Sequence, residues 1–263
     1  KRADVGVAII NFDNGELLIV GGDKHYPMQS VYKFHLALAV LHKVDEGGFS
    51  LDQKIRIAKQ DLLPDTWSPL REKYPDGNVE LPLSDILAYT VSQSDNNGCD
   101  ILFTLAGGTE KVEEFIHGLG VHDVSIKTTE EEMHKAWEVQ FTNWTTPGAA
   151  VQLLELFYRR ELLSSSSFEL LWKIMVETST GPKRIKGNLP AGTIVAHKTG
   201  TSGRDESGVA AAVNDIGIVT LPDGRHFALA VFVSNSKENN ETNEGIIAGI
   251  AKMSWDYLVA RSH

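Results

Sequence analysis

A single cysteine, Cys99, stands among the 263 residues, so no disulfide can form within the chain. It opens the apolar part of SDNNGCDILF, a setting that predicts a buried structural thiol rather than a nucleophile. Basic residues are outnumbered, 25 Lys and Arg against 35 Asp and Glu, giving a formal charge of −10. Such a surface repels phosphate backbones and anionic bilayers, which disfavours nucleic acid and membrane surfaces as partners. No apolar run approaches the ~18 residues of a membrane-spanning helix. The histidines show neither an HxH nor an HExxH spacing, so no metal or other cofactor is expected. What remains is 42% hydrophobic residues in a long chain, enough for one large core or two interleaved lobes.

Hydrophobic patterning divides the chain. VGVAIINF (5–12) and ELLIVGG (16–22) are apolar, β-branched runs joined by Asp13-Asn14-Gly15, a tight hairpin turn. TIVAHKTG (193–200), DIGIVTL (215–221) and HFALAVFV (226–233) also read as strands, with Pro222-Asp223-Gly224 turning between the last two. The five predict one largely antiparallel sheet closed by both ends of the chain. Apolar residues at helical spacing in 241–262 predict a helix lying on it. Between the strands the signals are helical: 30–44, apolar on nearly every face and therefore central, then 84–92, 99–106, 109–120, 147–163 and 167–177. Residues 121–146 lack sustained periodicity and are long for a connection, which predicts a functional loop. A helical lobe (26–182) is thus inserted into a sheet-plus-helix lobe (1–25 and 183–263), with a cleft between them.

Three short motifs carry chemistry. Ser30-Val31-Tyr32-Lys33 opens the central helix, and residues i and i+3 share a face, which sets the Lys33 amine beside the Ser30 hydroxyl. A serine hydroxyl attacks only when a base takes its proton. Alone, the motif also suits a helix-capping serine with a solvated lysine. Ser94-Asp95-Asn96 ends a helical segment; Ser94 can relay a proton and the Asn96 amide can bind a carbonyl. Alone, it is an ordinary polar loop. Lys198-Thr199-Gly200-Thr201 places a fixed cation and a hydroxyl on a strand, with Gly200 allowing close backbone approach. Alone, it is a strand end turning into a glycine-rich loop.

S-x-x-K, S-D-N and K-T-G in this order form the signature shared by class A β-lactamases and penicillin-binding proteins. The chain resembles class A serine β-lactamases over nearly its whole length. MQSVYK, SQSDN, EEEMH, FTNWT, VETSTGPKRIKGNLPAG and AHKTGTSG are most similar to the PER-type extended-spectrum branch.

The resemblance implies a two-lobed fold of α and β structure, with a five-stranded, mostly antiparallel sheet flanked by helices and an all-helical lobe. It implies hydrolysis of penicillins and cephalosporins by an exported, periplasmic monomer without a cofactor. A chain opening at Lys1 without a charged, then apolar, leader fits that expectation. By the same likeness, Ser30 is the nucleophile, Lys33 its basic partner and Ser94 the proton relay. Glu130, in the long loop, is the carboxylate that drives water onto the acyl-enzyme ester. Backbone N–H groups of Ser30 and Thr201 hold the oxyanion, and Asn96 orients the substrate's side-chain amide. Lys198, Thr199, Gly200 and Arg184 address its carboxylate, Arg184 in place of the strand arginine where Asp215 stands. His134 occupies the common asparagine position four residues after Glu130, and Trp67 is an aromatic at the cleft mouth or a packing residue. The segment SGRDESGVAAAVND after Thr201 is longer than the usual turn and widens the cleft. The family's helix before the first strand is not found ahead of VGVAII, so either the numbering begins at an ordered or trimmed start or part of the sheet's outer face is exposed. Which of Lys33 and Glu130 is the acylation base stays open. A cell-wall D,D-peptidase and a non-catalytic β-lactam sensor remain alternatives, both lacking the deacylating carboxylate.

Overall fold

A computed structural model describes residues 2–261. The hairpin at the start consists of β1 (Asp4–Asn11) and β2 (Leu17–Val20), with Gly15 at φ +71° in the turn. Helices follow: α1 (Tyr32–Asp45), α2 (Leu83–Ser92), α3 (Asn96–Ala106), the one-turn α4 (Glu130–Met133), α5 (Pro147–Tyr158) and α6 (Ser165–Val176). The chain then returns to the sheet as β3 (Val195–Thr201), β4 (Ala210–Thr220) and β5 (His226–Ser236), and ends in α7 (Asn240–Ala260). The strand order is β2-β1-β5-β4-β3, antiparallel throughout.

The inner strands β1, β5 and β4 are covered on both faces, which explains why they read as continuous apolar runs, whereas the edge strand β2 is exposed along its length. Side chains alternate along β5. Ala228, Ala230 and Phe232 join the larger core, whereas Phe227, Leu229, Val231 and Val233 join a second core beneath α7. The larger core takes in Ala8 and Ile10 of the sheet together with α1 and the other helices, so both parts of the chain share it. Every residue from Tyr32 to Leu41 is buried, which makes α1 the molecule's axis. Cys99 is buried too, its thiol 3.7 Å from the Tyr32 hydroxyl, and burial raises its pKa well above the ordinary thiol range. On the sheet's outer edge, Leu17, Leu18, Ile19 and Val20 are exposed, as are Met253 and Tyr257 of α7.

Several boundaries differ from the sequence expectations. β4 begins at Ala210, not 215, because the small alanines carry no β-branched signal but pair with β5 from Ala210 onward. The helix expected over 147–163 ends at Tyr158, where Arg160 adopts φ +58°. Ser30 lies in a 3₁₀ turn (Gln29–Val31) ahead of α1 rather than inside it. The Ser94-Asp95-Asn96 stretch does not merely close α2; it also starts α3, with Asp95 as the capping residue that accepts from the Gly98 N–H. Pro69–Lys73 forms a short helix, and Lys54–Ile57 pairs with Val79–Pro82, neither of which was anticipated.

The long loop is structured. Thr129 and Glu132 make a reciprocal capping box around α4. Trp137–Thr142 winds into a 3₁₀ turn. At the loop's base, Trp144–Thr145 pairs with both Val124–Ser125 and Tyr26–Pro27, two residues ahead of the Ser30 turn.

His35, fully buried on α1, has its pKa lowered by burial to about 4. A depressed folded-state value means that the neutral form is favoured; the contribution is complete above about 6.5 and disappears as pH falls towards 4. Denaturant unfolding between these pH values should show a loss of up to about 3 kcal/mol from this group. His35→Leu should flatten that dependence, and an unchanged pH slope would mean that other groups set it.

Candidate active site

The turn at Gln29–Val31 fixes where Ser30 points. Gln29 has φ +48°, a conformation rare for a residue with a side chain. Asn214 of β4 donates to the carbonyls of Pro27 (2.8 Å) and Met28 (3.3 Å). β3 presses on the same turn: a Cβ at Gly200 would lie 2.3 Å from the Met28 carbonyl oxygen. The close approach that requires glycine there is thus to the protein's own Ser30 turn.

Lys33 follows one helical turn later. Its side chain is fully buried, and Nζ lies 2.9 Å from Ser30 Oγ, 2.9 Å from the Ser94 carbonyl oxygen, 2.5 Å from Asn96 Oδ1 and 2.9 Å from Glu130 Oε1. An ammonium has three N–H bonds, so four acceptors more than exhaust it. Ser30 Oγ and Glu130 Oε1 are 3.5 Å apart, farther than either is from the amine.

Ser94 has φ +59°. This strained conformation turns its carbonyl towards Lys33 while its hydroxyl receives a 2.9 Å hydrogen bond from Lys198. Lys198 also donates to the Thr199 carbonyl at 2.9 Å. Complete burial, reinforced by the charge of Lys33, pushes its pKa well below the ordinary lysine range. Next on the strand, Thr199 Oγ1 is 2.6 Å from Thr180 Oγ1.

Arg184 does not line the cavity. It is buried behind β3, donating to the Gly200 and Asn214 carbonyls, to Glu244 and, at 2.7 Å, to Thr201 Oγ1. Its charge therefore reaches the site through Thr201. Asp215, at the strand position where the resemblance would place an arginine, is fully buried and holds His197 Nδ1 at 2.9 Å.

Glu130 is brought in by two anchors. Asp100 lies one turn after Asn96 on α3, and its carboxylate accepts the backbone N–H groups of Glu130 (2.8 Å) and Glu131 (2.9 Å). Burial raises the Asp100 pKa to about 6. His134 Nδ1 is 2.6 Å from the Glu130 carbonyl oxygen; a carbonyl can only accept, so this nitrogen carries the proton. The spacing of Asp100 from Asn96, i to i+4 on one helix, was the available signal for a residue that the motifs alone did not identify.

These groups surround a cavity of about 610 Å³. Ser30, Ser94, Asn96, Glu130, His134, Thr199 and Thr201 line it. Trp67 stands at its wall, 56% exposed, its Nε1 donating to the Gln93 carbonyl at 2.9 Å. Gln29, Gln140 and Arg204 also contribute, none of them expected as site residues.

Ser30, the buried Lys33 amine, the Glu130 carboxylate, Ser94 and Lys198 thus form one cluster of polar contacts. The chain matches the Beta-lactamase enzyme family over residues 1–258. It is 52% identical to beta-lactamase VEB-1 of Pseudomonas aeruginosa, covering 98% of this chain and 87% of that protein. It is 45% identical to the extended-spectrum beta-lactamase PER-1 of the same organism, covering 98% and 83%. Among solved structures, that of the TLA-1 extended-spectrum beta-lactamase superposes with a TM-score of 0.97 at 61% identity, covering 98% of this chain and 94% of the other. A class A beta-lactamase from Bacteroides cellulosilyticus superposes at 0.95 with 42% identity, covering 99% and 93%. The chain belongs to the β-lactamase family and is a class A serine enzyme of the PER/VEB type.

Because Lys198 loses its charge at a lower pH than a free lysine, kcat/KM for a carboxylate-bearing substrate should fall on the alkaline side before the ordinary lysine range. Arginine stays charged throughout. Lys198→Arg should move that limb upward, measured as a pH profile of kcat/KM. A limb that stays in place would assign it to another group.

Proposed function

We propose that Ser30 is the nucleophile with which this β-lactamase opens the lactam ring, and that Glu130 drives hydrolysis of the resulting ester. The observation that carries the reading is the position of Lys33 Nζ, 2.9 Å from both Ser30 Oγ and Glu130 Oε1. A proton leaving Ser30 has its shortest path through this amine. Lys33, ion-paired with Glu130, accepts it as it passes one of its own to the carboxylate. Ser94, whose hydroxyl oxygen already accepts from Lys198, donates its O–H to the departing ring nitrogen. The two lysines then relay the proton held on Glu130 back to Ser94, which frees the carboxylate for deacylation. The backbone N–H groups of Ser30 and Thr201 hold the oxyanion, where loss of one donor typically costs about 3 kcal/mol.

In this reading Lys198, Thr199 and Thr201 receive the substrate carboxylate, with Arg184 acting from behind Thr201. Asn96 keeps its oxygen on Lys33 and its amide nitrogen 2.7 Å from Thr66 Oγ1, leaving the second amide hydrogen for the acyl side chain. His134, fixed by its Nδ1–H, turns Nε2 to the water beside Glu130. Trp67 borders the acyl side chain.

The substrates we assign are penicillins and cephalosporins, including those with bulky acyl groups. The size of the cavity and the extended-spectrum descriptions of PER-1 and TLA-1 support that range. Resistance to these drugs follows for the cell that makes the enzyme. The proposal extends to a monomer in the periplasm, supported by family membership; among the described residues no helix is long and apolar enough to cross a membrane.

Electrospray mass spectrometry separates hydrolase from D,D-peptidase or sensor. The unaltered protein mixed with a cephalosporin should show its acyl adduct only briefly. Glu130→Ala should acylate and then stay acylated, with turnover reduced at least ~100-fold. An adduct lasting hours in the unaltered protein, or normal turnover by Glu130→Ala, would overturn the assignment.

A further inference from the structure

The nucleophile turn is held from two sides. β3 and β4 grip it through Gly200 and Asn214, as described above. On the other side lies the loop that carries Glu130. The Met28 N–H donates to the Asn143 carbonyl at 2.9 Å. Gln29 Nε2 donates to Gln140 Oε1 at 2.6 Å. Gln140 is 6% exposed, and its own Nε2 donates to the Trp137 carbonyl at 2.8 Å, so its amide is fixed in one orientation.

Lys33, Ser94 and Lys198 are buried on α1, just ahead of α3's cap and on β3, and Ser30 sits in the turn that opens α1. Glu130 alone stands on a connecting segment. Its loop has one anchor at Asp100 and another where the Trp137–Thr142 turn meets Gln29. The second anchor bears on the residue immediately before the nucleophile. The left-handed conformation of Gln29 is what sends its side chain across to the loop rather than along the helix.

We propose that Gln140 is a positioning residue for deacylation. Through Gln29 it sets the separation between Ser30 and Glu130, and so the space for the water that cleaves the ester. This rests on the role assigned to Glu130 above. Acylation, in which the proton reaches Glu130 through an amine already in contact with both groups, depends less on the direct separation of Ser30 and Glu130.

The test is steady-state kinetics with Gln140→Leu, Gln29→Leu and the double variant, using a cephalosporin whose acyl-enzyme hydrolysis limits turnover. Slower deacylation lowers kcat and KM together and leaves kcat/KM in place. Each single variant should lose roughly tenfold in kcat, the scale of one hydrogen bond, with kcat/KM within about twofold. The double variant should lose no more than either single one, because both remove the same contact. Adduct should persist correspondingly longer by electrospray mass spectrometry. If Gln140→Leu fails to fold by thermal unfolding, Gln29→Leu decides alone. Equal losses in kcat and kcat/KM, additive losses in the double variant, or unchanged kcat would overturn the proposal. Absence of turnover by the unaltered protein would instead sink the hydrolase reading itself.

Discussion

A lysine ammonium with no contact to water organises this molecule. A buried cation is tolerated only where acceptors replace its hydration. Lys33 draws those acceptors from three places: Ser30 in the turn ahead of its helix, Ser94 and Asn96 at the start of α3, and Glu130 on the long loop. Removing any of them leaves the others facing a poorly compensated charge. The architecture around Lys33 can be read as the means of delivering those oxygens to one point. The central helix is apolar on all sides because it must run through the core to put Lys33 there. Asp95 caps α3 and also accepts from Ser68 and the Leu70 N–H, which fixes the start of that helix to within a hydrogen bond.

Strain collects around the same point. Gln29 and Ser94 both adopt left-handed backbone conformations without being glycine, and both border the cavity. At Ser94 the cost is offset by two hydrogen bonds, one to its hydroxyl and one to its carbonyl. At Gln29 the turn is clamped between strand and loop. Such conformations persist only where surroundings over-determine them, and here two lysines and two layers of structure do so.

The outline of this arrangement was legible in the sequence. Strand and helix periodicity gave the sheet, the central helix and the terminal helix to within a few residues, since these elements bury one consistent face or all of their faces. Order of motifs singled out Ser30, Lys33, Ser94, Glu130 and Lys198 as candidates, because the proposed chemistry needs those side chains and little else. Residues that act through geometry were hidden. Asp100 looks like any helical acid until its carboxylate is seen under the Glu130 and Glu131 N–H groups. Gly200 suggested room for a ligand, whereas the space is occupied by the Met28 carbonyl. Arg184 suggested a direct substrate contact, yet its guanidinium is spent largely on main-chain oxygens behind the strand. The alanines at the head of β4 were silent because pairing, not side-chain preference, makes them a strand.

The solitary, buried Cys99 has a consequence for biogenesis. Nothing in the native state depends on an oxidant, and no wrong pairing of thiols within the chain can trap it. Core packing alone must deliver the fold. The chain can therefore mature in a reducing or an oxidising compartment with equal ease, free of any need for disulfide isomerases.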